Sequence, residues 1–484
     1  MMMFAIIFGL PVVAVIWLAI LAKWQRGITW LVLYLPFASG IALALRPSPI
    51  GTLFKDFLFV LPVYAIFFLI HTRELSRVRI PQTMTFILVL FGALVLLQLF
   101  NPSLGSMVVG AVGVKVWLLY IPLAYLVSVM IEEPDDLVRL LRLSVAVAII
   151  PCGVGILQFL LCTAIGYEVA MTMFYGSKAF DVTQGFTSFV MGAEFFRIPS
   201  TFSFVTQYSG YALMMIPITY MHMSIESHPG WRSFARIMMG VVFVACMLSG
   251  ARANFLFAPL LFLTILFLDA KLTRLALGLV FGPFVMMTTL EAVGIDPLRT
   301  FGATGQLAQS YGTDLIFPEL IASIAENPLG SGTGVNTGAA LNIMSAVQKA
   351  RVHNIEGYYS KAVIELGFPG LMLVILIFGA LIAYGLRIRG TLRDPLARSC
   401  AAAIAGFLII MALHSFKGWQ IDLDPINVWY WIMVGILFRL PYLQFTEIAE
   451  RRRAADEMRH KRRGRPRRGR LAPRPGAVRP GIRA

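Results

Sequence analysis

Three residues in this sequence are of the kind that could handle a negatively charged group and move a proton. Arg197 stands in FFRIPSTFSFVTQYSG and Arg252 in LSGARANF, each close to the start of an apolar run. Arginine is permanently charged, and its planar donor fork can grip two oxygens of a phosphate at once. The plainer alternative for both is an arginine that snorkels to an interface. His353, in ARVHNIEGYYSKAVIELGFPG, has an ordinary pKa of about 6.5 and therefore suits proton acceptance near neutral pH. Its alternative is a hydrogen-bonded structural histidine. Asn354, Tyr358 and Lys361 surround it, and Gln207 sits among Ser203, Thr206 and Ser209 at an unusually polar helix start. We take Arg197, Arg252 and His353 as candidate catalytic residues, with Asn354, Tyr358, Lys361 and Gln207 as candidate substrate contacts. Glu365, four residues after Lys361, reads as a helix-stabilising ion pair.

Other patterns carry less. GSGTGVNTG (330–338) lacks the lysine of a phosphate-binding loop and reads as a flexible segment. No HExxH or GxSxG pattern is present, which leaves protease and lipase chemistry without support. Asp422 and Asp424 in IDLDP suggest only a weak metal clamp. Cys152, Cys162, Cys246 and Cys400 all fall in apolar runs without metal-ligand spacing, and each reads as a small buried hydrophobe. No metal or cofactor is expected. His71 and His414 read as interfacial, although His414 with Lys417 could line the same cavity as the arginines.

The elements that must position these residues lie in a membrane. The chain has 484 residues, of which 58% are hydrophobic and 14% charged, against about 45–50% and about 25% in soluble proteins. Mean hydropathy is +0.77. Apolar runs recur at about 3–22, 28–45, 57–71, 82–100, 108–131, 143–165, 201–223, 237–249, 254–270, 275–292, 362–385, 400–416 and 427–443. Lipid-exposed backbone must satisfy its own hydrogen bonds, so these runs should be helices. The expected fold is an all-α integral membrane protein with about 12–13 transmembrane helices.

Basic residues mark alternate connections: Lys23/Arg26, Arg73/Arg77/Arg79, Arg139/Arg142, Arg232/Arg236, Lys271/Arg274 and Arg387/Arg389/Arg393/Arg398. Positive charge favours the cytoplasmic side, which leaves the connections at about 166–200 and 293–361 outside. The second is too long for an ordinary connection, and Leu315, Ile316, Leu320, Ile321 and Ile324 give it an amphipathic helix over 314–326. A further helical segment is expected at 339–350. The net charge of +16 is mostly a tail, because residues 451–484 hold 14 Lys/Arg and 2 acids. That composition predicts a disordered cytoplasmic tail over 446–484 beyond a membrane domain of 1–445, held near anionic lipid. Nucleic acid is not an expected partner, for the tail has neither clustered aromatics nor a folded platform.

Taken in order, RIPSTFSFVTQYSGYAL, LSGARANFLF, ENPLGSGTG, VHN and ELGFPGL (365–371) resemble the bacterial O-antigen ligase and polysaccharide polymerase superfamily. The resemblance covers roughly 190–380 in motifs and about 1–445 in hydropathy. SYGTDLIFPELIASIAENP departs from it where many members have an arginine and a tryptophan. The resemblance implies a metal-independent glycosyltransferase of GT-C type with a large periplasmic loop in the bacterial inner membrane. It implies an undecaprenyl-diphosphate-linked glycan as donor, with lipid A-core or a growing glycan as acceptor, in lipopolysaccharide or exopolysaccharide assembly. Arg197 and Arg252 would then bind the diphosphate, and His353 would take the proton of the acceptor hydroxyl. The competing reading is a multi-span transporter or lipid-linked glycan flippase, for which no inverted repeat is apparent.

Overall fold

The computed structural model describes residues 2–45, 50–77, 80–183, 187–190, 193–292, 296, 312, 316–338, 340, 344, 349 and 355–464. Its first half contains helices α1 (Met2–Ala22), α2 (Gln25–Ala44), α3 (Leu53–Arg77), α4 (Gln82–Gln98), α5 (Met107–Leu118), α6 (Ile121–Met130) and α7 (Pro134–Ile165). Short helices α8 (Tyr167–Tyr175) and α9 (Ala179–Thr183) lead to a hairpin of β1 (Thr187–Val190) and β2 (Ala193–Phe196). The strands pair antiparallel, with Thr187 opposite Phe196. The second half contains α10 (Val205–Ile225), α11 (Pro229–Leu248), α12 (Arg252–Leu268), α13 (Leu272–Ala292) and α14 (Phe317–Glu326). It closes with α15 (Tyr358–Thr391), α16 (Pro395–His414), α17 (Ile426–Arg439) and α18 (Thr446–Gly464).

Seven stretches, with α5 and α6 counted together, are long and apolar enough to cross a membrane, or eight if α17 and α18, bent by 92°, count as one broken span. Three more described helical stretches, Pro11–Ala22, Gln82–Gln98 and Arg252–Leu268, are apolar but shorter. The chain thus has the helices of a multi-span membrane protein. The expected runs differ from the elements in informative ways. The run at 108–131 breaks into α5 and α6 at Leu119 and Tyr120. The short run at 57–71 extends to Leu53–Arg77 and includes π-helical turns at Asp56–Val60 and Phe67–His71. The hairpin is the one departure from an all-helical chain among the described residues.

Helix α10 is the axis of the bundle. It is buried along nearly its whole length and packs on α7, α11, α12 and α16. Its apolar and polar residues are spread around the whole circumference, the pattern of a helix shielded on all sides. Protein neighbours, not lipid, therefore receive its polar groups. Ser209, Thr219 and His222 are all buried. Helix α15 packs on α4, α14 and α16, and α17 packs on α6.

Of the expectations about connecting segments, one is met and one is corrected. The amphipathic segment forms α14, docked by its Glu319 carboxylate, which accepts from the backbone N–H groups of Glu356 (3.0 Å) and Gly357 (3.2 Å). The following GSGTGVNTG, however, is not a flexible linker. The buried Glu365 carboxylate accepts from Gly334 N (3.0 Å), Asn336 N (3.0 Å), the Thr337 hydroxyl (2.9 Å) and Trp117 Nε1 (2.7 Å). Its Gly330 abuts the non-helical break of α15 at Gly367, where a Cβ on Gly330 would meet Gly367 N at 2.6 Å. Gly330 and Gly367 both have positive φ, 81° and 74°, which glycine adopts without strain. Most of the segment expected to be helical at 339–350 lies outside the described residues.

The tail is also corrected in part. Thr446–Gly464 is helix, tied down by Arg232–Asp456, by Arg451–Asp135 (3.0 Å) and by Arg452 donating to the Ser224 carbonyl. Those partners are more than 220 residues away in the sequence, so composition alone gives no hint of them. Residues 465–484 lie outside the described residues.

Candidate active site

The chain reaches Arg197 from β2 and then turns sharply through Ile198, Pro199 and Ser200. Ser200 has φ 56°, a left-handed conformation that costs a non-glycine residue energy unless its surroundings fix it. They do. Its N–H donates to Gln158 Oε1 (2.8 Å), its hydroxyl donates to the Pro151 carbonyl (2.5 Å), and its carbonyl accepts from the Tyr175 hydroxyl. The Tyr167 hydroxyl holds the Arg197 carbonyl at 2.5 Å. Arg197 therefore sits on backbone pinned to α7 and α8.

Arg252 is brought to the same place by the turn between α11 and α12. Ile198 N–H donates to the Ser249 carbonyl at 3.2 Å, so the two arginine-bearing segments are joined directly. Gly250 makes that approach possible. It has φ 74°, and a Cβ there would lie 2.0 Å from the Phe196 carbonyl oxygen. Asn254 Nδ2 donates to the Ser209 carbonyl (3.2 Å), which fixes the first turn of α12 against α10.

Both arginines line a cavity of about 1240 Å³. The first turns of α10 and α12 also face it, through Val205, Thr206 and Gln207 and through Arg252, Ala253 and Asn254. Free N–H groups and the positive end of the dipole make such helix starts favourable to anions. Among the described residues neither arginine has a carboxylate partner. Arg197 Nε is buried without a hydrogen-bond partner. Burial, reinforced by the Arg252 charge, pushes the Arg197 guanidinium below its ordinary pKa, against an opposing pull from Tyr167. Lys417 extends the positive wall. Burial lowers its ammonium pKa, with Glu356 opposing and Arg252 adding to the shift. Its ion pair with Glu356 is long, at 3.9 Å. Such a set of positive groups can receive an anion.

A second charged cluster reaches the same cavity through Lys55, Lys115 and Asp424. Lys55 pairs with Asp56 (2.9 Å) and Asp424 (3.0 Å), and Lys115 pairs with Asp56 (2.8 Å). The Tyr120 hydroxyl donates to Asp56 at 2.6 Å. Asp56 opens a π-helical turn, a local widening often found at functional sites. Lys361, fully buried, pairs with the cavity-lining Asp422 and stands 3.9 Å from Glu365. Its ammonium also lies 4.7 Å from the centre of the Trp117 ring, a cation–π contact. Lys361 thereby links the loop that carries Asp422 to the glycine-rich loop around Glu365.

Of the candidate residues, Arg197, Arg252 and Gln207 share the cavity, and His414 and Lys417 line it as well. Gln207 Oε1 accepts from the Ser203 hydroxyl at 2.9 Å. Tyr358 and Lys361 do not line it; Tyr358 packs between Trp117 and Phe378. His353 and Asn354 lie outside the described residues. Asp422 and Asp424 bind separate lysines and not one shared site, which removes the metal-clamp reading of IDLDP. Among the described residues no group of three metal-ligating side chains forms. All four cysteines are buried. Sequence reasoning missed Lys55, Asp56 and Lys115, although charges inside LFKDFLF and GVKVW were a usable signal. Comparison with protein-family models and with curated proteins finds no match to this chain.

Proposed function

We propose that this protein is a membrane glycosyltransferase of the O-antigen ligase or polysaccharide polymerase type. It moves a glycan from an undecaprenyl-diphosphate carrier to an acceptor sugar hydroxyl at the periplasmic face of the bacterial inner membrane. The carrying observation is the pair of arginines, Arg197 and Arg252, without carboxylate partners among the described residues and brought together at Gly250 in the lining of a large cavity. As the anomeric C–O bond breaks, negative charge develops on the departing diphosphate. Fixed guanidinium groups and two helix starts stabilise that charge without reorganising. His353 takes the proton of the attacking hydroxyl. The same reading gives the fold as GT-C type with twelve or thirteen spans, the segments about 166–200 and 293–361 facing the periplasm.

The test is transfer from a lipid-linked glycan by protein reconstituted in vesicles. Arg252→Ala and Arg197→Ala should each insert normally and lose roughly 10²–10³-fold in rate, the scale seen when one charge-stabilising donor is removed. Normal transfer by both variants overturns the proposal. Gene deletion then separates the two types. Lipid-linked polymer accumulates if a ligase is lost, and single repeat units remain on lipid A-core if a polymerase is lost.

The second reading, a transporter or flippase of lipid-linked glycan, draws on the Lys55–Asp56–Lys115 cluster. Ionisable groups within apolar helices often mark a conduction path. Movement of lipid-linked glycan across vesicles without any glycosidic product would favour it.

A further inference from the structure

At the other end of α10 lies a smaller pocket, of about 150 Å³, unrelated to the arginine cavity. Arg236 of α11, Lys271 and Arg274 at the start of α13, and Arg452 of α18 line it. The pocket has one lining carboxylate, Asp269, and both of its oxygens are engaged. Asp269 accepts from the Tyr220 hydroxyl (2.5 Å) and from the Ser399 hydroxyl (2.8 Å), and Lys271 stands 4.0 Å away. Among the described residues Arg236 and Arg274 have no carboxylate partner. Arg452 donates to the Ser224 carbonyl, and the charges of Arg232, Arg236 and Arg274 all act against its own. Arg232 has Asp456, but its buried Nε is unsatisfied. Among the described residues, four cations thus line the pocket against one carboxylate, Asp269, while the neighbouring Arg232 has its own partner in Asp456.

From this imbalance we infer a binding site for a phosphate group at this end of the bundle, gripped by Arg236, Lys271, Arg274 and Arg452. A phosphate suits it better than a carboxylate. Its oxygens point in several directions and can accept from donors on three separate helices, and arginine forks match that geometry. The two sites lie toward opposite ends of α10, whose 21 residues make a helix about 30 Å long. That is the thickness of a bilayer core, so a lipid headgroup phosphate can reach the pocket from the leaflet beside it. A soluble phosphate could enter from the adjoining aqueous side by the same chemistry.

The experiment uses the purified full-length chain carrying Arg197→Ala/Arg252→Ala, which removes diphosphate binding in the arginine cavity and serves as the wild type for this pocket. Its binding to vesicles of neutral phosphatidylcholine, with and without phosphatidylglycerol, is measured beside a pyrophosphate titration of the detergent-solubilised protein. Wild type should bind one of the two probes, and Arg236→Ala/Arg274→Ala should weaken that binding at least tenfold. Arg387→Ala/Arg389→Ala, which removes the same charge outside the pocket, should change it less than twofold. Dependence on phosphatidylglycerol identifies a lipid headgroup, and saturation by pyrophosphate identifies a soluble phosphate. The inference is overturned if wild type binds neither probe, if the pocket variant binds as wild type does, or if both double variants lose equally. Thermal unfolding without either probe shows that the variants are folded, and Arg236→Gln alone replaces the double variant should it unfold.

Discussion

The carboxylate of Glu226 accepts from His222 Nε2 (3.0 Å), from the backbone N–H of His228 (2.8 Å) and from the Arg142 guanidinium (2.8 and 3.0 Å). It is buried at the end of α10, where an isolated charge would be costly. Burial pushes its pKa up, but the hydrogen bonds from His222, His228 and Arg142 outweigh that and hold it at about 2. A depressed carboxylate pKa stabilises the folded chain above the ordinary value of 4.5 and loses that contribution as pH falls toward 2. Glu226→Gln should therefore cost roughly 1–3 kcal/mol at pH 7, the scale of a charged hydrogen bond. The thermal unfolding gap between variant and wild type should narrow at pH 3. An equal gap at both pH values would show that the charge is not what stabilises the fold. The sequence marks none of this, because Glu226 lies two residues from His228 but 84 from Arg142.

At the scale of elements, the glycine-rich loop around Glu365 shows what a sequence conceals. GSGTGVNTG has the composition of a linker, and nothing local announces that a carboxylate some 30 residues later collects its N–H groups. Lys361 and Glu365 were legible as a pair at helical spacing; the second partners of each, Asp422 and the loop, were not. The arginines were more legible, since each stands where an apolar run begins. Their meeting was not, since it depends on Gly250 and on Ser200 held in a left-handed turn. Gly334 gives the loop a direct test. It has φ 90°, and a Cβ would lie 2.2 Å from the Val109 carbonyl oxygen. Gly334→Ala should strain the backbone by about 1–3 kcal/mol and move the loop. Thr337 and Gly338 on that loop line the cavity, so protease cleavage within 327–338 should rise and transfer should fall. Gly153→Ala meets nothing within 4 Å on an exposed helix face and should leave both readouts unchanged.

For the whole molecule, the same antiparallel helices present different chemistry at their two ends. Arg197, Gln207, Arg252 and His414 gather at the start of α10, the turn into α12 and the end of α16. At the far ends, Arg142–Glu226, Arg77–Glu132 (3.1 Å), Arg451–Asp135 and Arg232–Asp456 join three connections and α18 into one charged layer. The alternation of basic connections in the sequence anticipated this grouping, because it reflects which helix ends share a side. It could not anticipate α18, whose anchors are all distant in the chain. No residue of α18 lines the arginine cavity, whereas Arg452 lines the basic pocket. Deleting 446–484 should therefore separate the two ends. Exposed ion pairs contribute only about 0.2–1 kcal/mol each, but the deletion also strips the buried Arg232 of its carboxylate. Thermal unfolding should drop by a few degrees and phosphate binding should weaken, while transfer in vesicles stays within about twofold of wild type. Loss of transfer by a truncated protein that still unfolds cooperatively would mean that the charged layer sets the geometry of the cavity toward the other end of the helices, and the two ends would then be one device.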